Sequence, residues 1–346
     1  VTSSEALASA VAAVEEVRRR HAPDPRGSVW EVKVELQGGT LALSGATTEP
    51  VAVHEVGVRL SGLGLRIDDR VVRLPCGDGA GFALIRVPIA PMLAAPLISE
   101  AQVSQVVLGH PLAVLRRWGR WLHCRSSDGY LGWIHRGYLV EIASWHEDGA
   151  GSAAEAWSLG AEVHDDDGRL HSRLPWGARV TLAEDGRVRL PGGEWGTARG
   201  ELVRTEERME RFPASGNAVV ESALRWIGAP YLWGGITHGG VDCSGLVQAT
   251  LGLHGVHLPR DSDQQARVGE RVDPGDDFAR LRAGDLLFFA EDRERVSHVA
   301  LSLGGSRIVH ASLGNARVAC NDLCGDAPYE RELRSFFVVA QRVLPD

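Results

Sequence analysis

Tyr231-Leu232-Trp233-Gly234-Gly235, followed by Asp242-Cys243-Ser244-Gly245-Leu246, reads as a glycine-rich loop that delivers a cysteine to the first turn of a helix. After Cys243 the apolar residues Leu246, Ala249 and Leu253, with Val247 and Leu251 alongside, fall at helical spacing, and Gly252 and Gly255 supply the stop. A thiol at a helix N-terminus faces unpaired backbone N–H groups and the positive end of the helix dipole, and both favour thiolate. A free cysteine is more often a buried core residue, so the loop alone leaves both readings open.

Two histidines downstream shift the balance. Residues 296–303 alternate like a strand, with His298, Ala300 and Ser302 on one face and Val299, Leu301 and Leu303 on the other. Gly304-Gly305 makes a turn and Arg307-Ile308-Val309-His310 returns, so a hairpin sets the strand of His310 beside that of His298. A nucleophile on a helix start, a base on one strand and an orienting group on the next are the three roles a cysteine hydrolase needs. The expected resting state is a thiolate–imidazolium pair.

These residues resemble the NlpC/p60 family of cell-wall cysteine peptidases, which have a papain-like core. The resemblance covers residues 216–343. It runs through Leu258-Pro259-Arg260-Asp261-Ser262, Gln265, Gly269 and Leu281-Arg282-Ala283-Gly284-Asp285-Leu286, and closes with Ser297-His298-Val299 and Val309-His310-Ala311-Ser312. It implies that Cys243 attacks an amide carbonyl to form an acyl-enzyme. His298 then takes the thiol proton and returns it to the leaving amine, while His310 holds the His298 ring. The Cys243 backbone N–H is one oxyanion donor; the resemblance implies the Tyr231 hydroxyl as the second, with a plain wall aromatic as the alternative.

Composition sets the frame. A chain of 346 residues exceeds one ordinary domain. Its hydrophobic content of 44% and charged content of 24% are ordinary for a globular protein. A net charge of -8 argues against nucleic acid, which calls for a basic face, and against simple adhesion to anionic wall polymers. No apolar run approaches a membrane span. The first twenty residues do not read as a signal peptide, since Glu15 and Glu16 interrupt them; the chain opens on Val, so an exported protein with its leader removed and a cytoplasmic one both stay open. The five cysteines form no disulfide framework, and Cys320 and Cys324 are expected to be small buried residues rather than a pair. No metal-site spacing appears, and neither a metal nor another cofactor is expected. A monomer is expected.

The fold class expected is α+β, in four parts. Residues 1–75 read helix, two strands, helix, strand, an order that resembles a BON-like domain, with a plain α+β module as the alternative. Residues 76–91, with Gly77, Gly79 and Gly81, read as a linker. Short strands with turn signals at residues 88–146 suggest a small barrel, and Asp128-Gly129-Tyr130-Leu131-Gly132-Trp133-Ile134 resembles bacterial SH3-like domains. Residues 147–151 read as a flexible joint. Residues 152–205 look like a second, divergent copy, residues 206–213 a charged lead, and residues 214–346 the papain-like catalytic domain.

Paired SH3-like domains before such a catalytic domain resemble γ-D-glutamyl-L-diamino acid endopeptidases of the dipeptidyl-peptidase VI type. These cut murein tripeptides or tetrapeptides that carry a free N-terminal L-Ala. The resemblance implies Asp261 as the reader of that amine, with Ser262, Asp242, Ser244 and Trp233 as neighbouring substrate contacts. Tyr130, from the first SH3-like domain, matches a pocket tyrosine, and Glu100 is the candidate for a pocket glutamate, with a surface charge as its alternative. Asp242 serves equally well as a helix cap. The leading expectation is a peptidoglycan-recycling peptidase. The alternatives are a secreted lysin anchored to intact wall by its SH3-like domains, a transferase using the same triad, and a non-catalytic wall-binding scaffold. The role of residues 1–75 is not readable.

Overall fold

The computed structural model describes residues 3–77, 80–142, 154–292 and 294–345, and the joint expected at residues 147–151 lies outside them. The architecture is α+β. Helix α1 (Ser3–His21) buries Ala6, Ala10, Val14 and Val17, a stripe at helical spacing. It packs with α2 (Pro50–Ser61) over the strands Lys33–Gln37, Thr40–Ser44 and Arg66–Asp69, and Leu41 and Leu43 fill the core between. The last strand, parallel to its neighbour, is shorter than expected; a separate two-residue strand, Val72–Arg73, pairs with Ala46–Thr47.

The stretch expected as a linker is not one. Gly81–Ile85 and Ile89–Leu93 are strands of a seven-stranded antiparallel barrel, completed by Gln102–Val107, Pro111–Trp118, Trp121–Ser126, Leu131–His135 and Leu139–Ile142. Ala83, Ile85, Ala90 and Met92 all point into its core. This is the period-two signal of strands, hidden in the sequence by the glycines ahead of it. A five-stranded barrel follows, in which the long strands Ala154–His164 and Trp195–Arg204 pair along most of their length. The charged lead forms a short helix, α3 (Thr205–Arg211).

The last domain has a six-stranded antiparallel sheet in the order 270–272, 337–342, 283–289, 298–304, 307–312, 317–322. Helices α4 (Gly216–Leu224) and α5 (Cys243–Leu253) pack on it through Val219, Leu246, Val247 and Leu251 against Val299, Leu301 and Val309. Helices α6 (Ser262–Gln265) and α7 (Pro328–Ser335) complete it. Cys320 and Cys324, expected to be buried, are exposed: Cys320 lies on strand Arg317–Asp322 at the sheet edge and Cys324 in the turn after it; neither is in a disulfide. No helix among the described residues is long and apolar enough to cross a membrane, and no cluster of three or more His, Cys, Asp or Glu among them could hold a metal.

The two barrels meet the last domain differently. The first reaches the loop before Cys243: Gln102 Nε2 donates to the Trp233 carbonyl at 2.9 Å, and Gln105 Oε1 accepts from Ile236 N at 3.2 Å. The second packs Trp176 against Trp226, centroids 5.2 Å apart, and Trp226 stacks on His238 at 4.0 Å.

Candidate active site

Asp242 is extended (φ -94°, ψ 178°) and its Oδ1 accepts from Gly245 N at 2.7 Å, so it caps α5 and makes Cys243 the first helical residue. Gly245 has no room for a side chain: a Cβ there would lie 2.2 Å from the Gly235 carbonyl oxygen. The glycine loop therefore lies directly on the first turn of α5. Gly234 adopts φ +73°, and a Cβ on it would come within 3.2 Å of the Gln102 side chain of the first barrel.

Beneath this turn lies Arg260, 1% exposed. It donates to both oxygens of Asp242 at 2.9 and 2.7 Å, to Ser244 Oγ at 2.9 Å and, through Nε, to Ser104 Oγ of the first barrel at 3.0 Å. Asp242 Oδ2 also accepts from Gly234 N at 2.8 Å. Asp242 and Ser244, expected as substrate contacts, are thus buried and engaged internally. Arg260 stood in the quoted motif without a role, because nothing local in Arg260-Asp261-Ser262 says that its first member turns inward.

The ladder between strands His298–Gly304 and Arg307–Ser312 runs from Gly304↔Arg307 only to Leu301↔Val309. Beyond it the backbone N–H of Val299 serves the Cys243 sulfur, as does that of Ser244. His298 Nε2 lies 2.7 Å from His310 Nδ1, and His310 Nε2 lies 3.0 Å from Asn321 Oδ1. Asn321 Nδ2 donates to Glu330 Oε1 at 3.3 Å, and Asn315 Nδ2 donates to Asn321 Oδ1 at 2.7 Å.

This network assigns the tautomers. A carboxylate only accepts, so Glu330 turns the Asn321 amide to present Oδ1 to His310. His310 then carries its proton on Nε2. Burial lowers its pKa to about 4, so the ring is neutral and Nδ1 is bare. His298 must donate to it from Nε2, which leaves His298 Nδ1 as a free base.

The shifts at the two groups run against the expected thiolate–imidazolium pair. Burial, reinforced by the Asp242 carboxylate, pushes the Cys243 thiol up to about 12. Burial and the neighbouring His310 hold His298 well below the usual histidine range. Both shifts favour the uncharged forms, desolvation opposing the helix start and the backbone N–H groups.

Two tyrosines border the sulfur. Tyr231 is partly buried, and burial above all raises its pKa. Tyr329, at the start of α7, is raised by burial and also feels Cys243; its ring lies parallel to that of His310, centroids 6.3 Å apart. The sequence reading missed Tyr329, Asn321 and Glu330. Pro328, which opens α7, Glu330 in its first turn and Arg334 in its last are the local signals for that helix.

The distal end is built from three domains. Asp261 caps α6 and Ser262 is its buried first residue. The Tyr130 hydroxyl donates to Asp261 Oδ2 at 3.1 Å, which brings the two predicted residues together. The same oxygen accepts from Arg26 of the first domain at 2.7 Å. Trp233 stands at the rim, 67% exposed. Glu100 is exposed, and no hydrogen bond or ion pair joins it to Asp261 or Tyr130 among the described residues.

Comparison with known proteins follows this geometry. The NlpC/P60 family model matches residues 228–335, and that of the bacterial dipeptidyl-peptidase Sh3 domain matches residues 92–139. The γ-D-glutamyl-L-lysine dipeptidyl-peptidase of Bacillus cereus is 28% identical over 233 residues, which cover 60% of this chain and 66%, just under two thirds, of that relative. The Bacillus subtilis enzyme of the same name is 28% identical over 66% of this chain and 78% of its own length. Dipeptidyl-peptidase 6 of Lysinibacillus sphaericus is 28% identical over 72% of this chain and 94% of its own. The crystal structure of an NlpC/P60 family protein from Bacillus cereus superposes with a TM-score of 0.64 at 24% identity, over 77% of this chain and all of that one, a likeness of fold.

Proposed function

The chain carries an NlpC/P60 domain joined to a bacterial dipeptidyl-peptidase SH3 domain, and we propose that it is a cysteine peptidase of cell-wall stem peptides, cutting the γ-D-glutamyl–diamino acid bond of peptides with a free N-terminal L-Ala. The observation that carries the chemistry is the hydrogen-bond chain from His298 through His310 and Asn321 to Glu330, which leaves His298 Nδ1 bare at the start of the strand that packs on the helix opened by Cys243.

The reaction balances on these groups. As the Cys243 sulfur bonds to the carbonyl carbon, its proton passes to His298 Nδ1, so the neutral pair becomes charged only as the bond forms. The Cys243 backbone N–H and the Tyr231 hydroxyl hold the oxyanion. The C–N bond then breaks as His298 returns the proton to the leaving amine. Water, deprotonated by His298, attacks the thioester; the C–S bond breaks, the acid product leaves, and the sulfur takes the proton back from His298. Asp261 and Tyr130 read the ammonium end of the peptide. The relatives named as γ-D-glutamyl-L-lysine dipeptidyl-peptidases support the bond, and the recycling role follows from the reading of Asp261 and Tyr130 as a receptor for a free amine.

The test compares free L-Ala-γ-D-Glu-diamino acid peptide with the same stem attached to muramic acid, products read by mass spectrometry. Cleavage of the free peptide alone is expected, with turnover abolished in Cys243→Ala. Cleavage of both at similar rates would replace the recycling reading with that of a lysin, and turnover by Cys243→Ala would remove the nucleophile.

A further inference from the structure

The first domain sends the loop after α1 into the cleft between the first barrel and α6. Arg26 is its tip. Its guanidinium binds Asp261 Oδ2 at 2.7 Å, Asp263 through two bonds of 2.7 and 2.9 Å, and Asp24 of its own loop at 2.7 and 2.9 Å. The loop is held on both sides. The Arg26 carbonyl accepts from Leu131 N at 2.7 Å, the Gly27 carbonyl from Arg125 at 3.2 Å, and Asp24 from Gln264 at 2.7 Å. The flanking cleft, of about 580 Å³, is lined by Asp24, Arg26, Asp128, Tyr130 and Gln264 among others.

Two facts decide what Arg26 does there. It uses the carboxylate oxygen that Tyr130 also points to, so a substrate ammonium seeking that oxygen meets a cation already bound. The contact is also not sealed: the side chains of Arg26 and Asp261 keep 23% and 26% of their exposure. Water reaches this contact, so Asp261 can exchange partners while the two-bond pairs with Asp263 and Asp24 keep the guanidinium in place. A buried lock would close the site; this contact only sets a threshold.

We propose that Arg26 is a specificity-determining residue, an internal competitor for the ammonium end of the substrate, through which the extra first domain tunes how strongly the enzyme takes peptides with a free amine. This rests on the reading of Asp261 as the amine-binding carboxylate. Arg26 touches no reacting atom, so it acts on substrate capture and not on the chemical step.

The experiment measures kcat and KM of the full chain and of Arg26→Gln, Arg26→Lys and Asp261→Asn, on a free-amine stem peptide and its N-acetyl form. Arg26→Gln is expected to lower KM for the free-amine peptide about threefold, the scale of an exposed ion pair, with kcat within about twofold and KM for the acetylated peptide unchanged. Arg26→Lys, which restores a cation, is expected to return KM towards the starting value. An unchanged or raised KM for the free-amine peptide in Arg26→Gln would overturn the proposal, and so would Arg26→Lys behaving as Arg26→Gln. Asp261→Asn separates the two readings: it is expected to erase discrimination between the peptides. If it does and Arg26→Gln has no effect, only the competitor role fails. If discrimination survives Asp261→Asn, the amine-reading role fails and takes this proposal with it.

Discussion

The two barrels share an architecture and a neighbour but touch it with different chemistry. The first offers polar side chains, Gln102, Ser104, Gln105 and Tyr130, to the glycine loop, to Arg260 and to Asp261. The second offers Trp176, which covers Trp226 and donates from Nε1 to the Ala249 carbonyl of α5 at 3.3 Å. Directional hydrogen bonds place atoms, whereas aromatic packing mainly removes area from water. The first barrel therefore belongs to the site and the second to its support. Substitutions on the two sides should separate activity from stability.

The largest effect is expected where the first barrel meets the cysteine turn. Arg260→Met leaves the Asp242 carboxylate buried without its partner and frees Ser104. Removing one member of such a pair typically costs about 3–5 kcal/mol, read from chemical denaturation. Because Asp242 caps the helix of Cys243, kcat/KM on the protein that remains folded should fall about a hundredfold, the scale for misplaced reacting groups. A variant stable to within 1 kcal/mol of the parent would show that the clamp is incidental.

Trp176→Ala tests the other side. Truncating a buried tryptophan typically costs about 3–5 kcal/mol, a loss like that of Arg260→Met, yet kcat/KM measured well below the melting temperature should stay within about twofold. A large fall in activity in the folded variant would erase the distinction between the barrels.

What the sequence made legible follows the same divide between local and distant. The loop, the Cys243 helix and the histidine hairpin were readable because each is a short-range pattern: apolar spacing on one helix, alternation on one strand, two glycines at a turn. The Arg26–Asp261 contact joins residues 235 positions apart in different domains. No period or motif encodes it, and the role of residues 1–75 stayed unread for that reason. Arg260 was visible in its motif, but only the folded chain shows that it turns inward. The strands at residues 81–93 were misread because nearby glycines outweighed a four-residue alternation. The helix dipole that favours a Cys243 thiolate is a local signal, whereas the desolvation that opposes it is set by everything packed around the sulfur.

The smallest effect sharpens the comparison from inside the first barrel. His123, in strand Trp121–Ser126, is buried and stacked on Trp133 with ring centroids 4.6 Å apart, and burial lowers its pKa to about 4. Its unfolded pKa is near the ordinary value of about 6.5, so between these values only the unfolded chain takes up the proton. The stability this residue contributes is fully present above pH 6.5 or so and is lost as pH falls towards 4. By pH 5.5 the loss should reach about 1.4 kcal/mol for one such histidine. His310 has the same depressed pKa in the catalytic domain and adds to the slope, as does His110, which contacts the Gly177 carbonyl of the second barrel at 3.0 Å. His123→Gln is expected to be less stable at neutral pH, having lost the stacked ring, but to lose less on acidification, by about that 1.4 kcal/mol between pH 7.5 and 5.5. Denaturation curves of both proteins at the two pH values read this difference. Parallel pH dependences would mean that the first barrel opens enough for water to reach His123 before the rest of the molecule unfolds, and that the barrel shaping the site is the less rigid of the two.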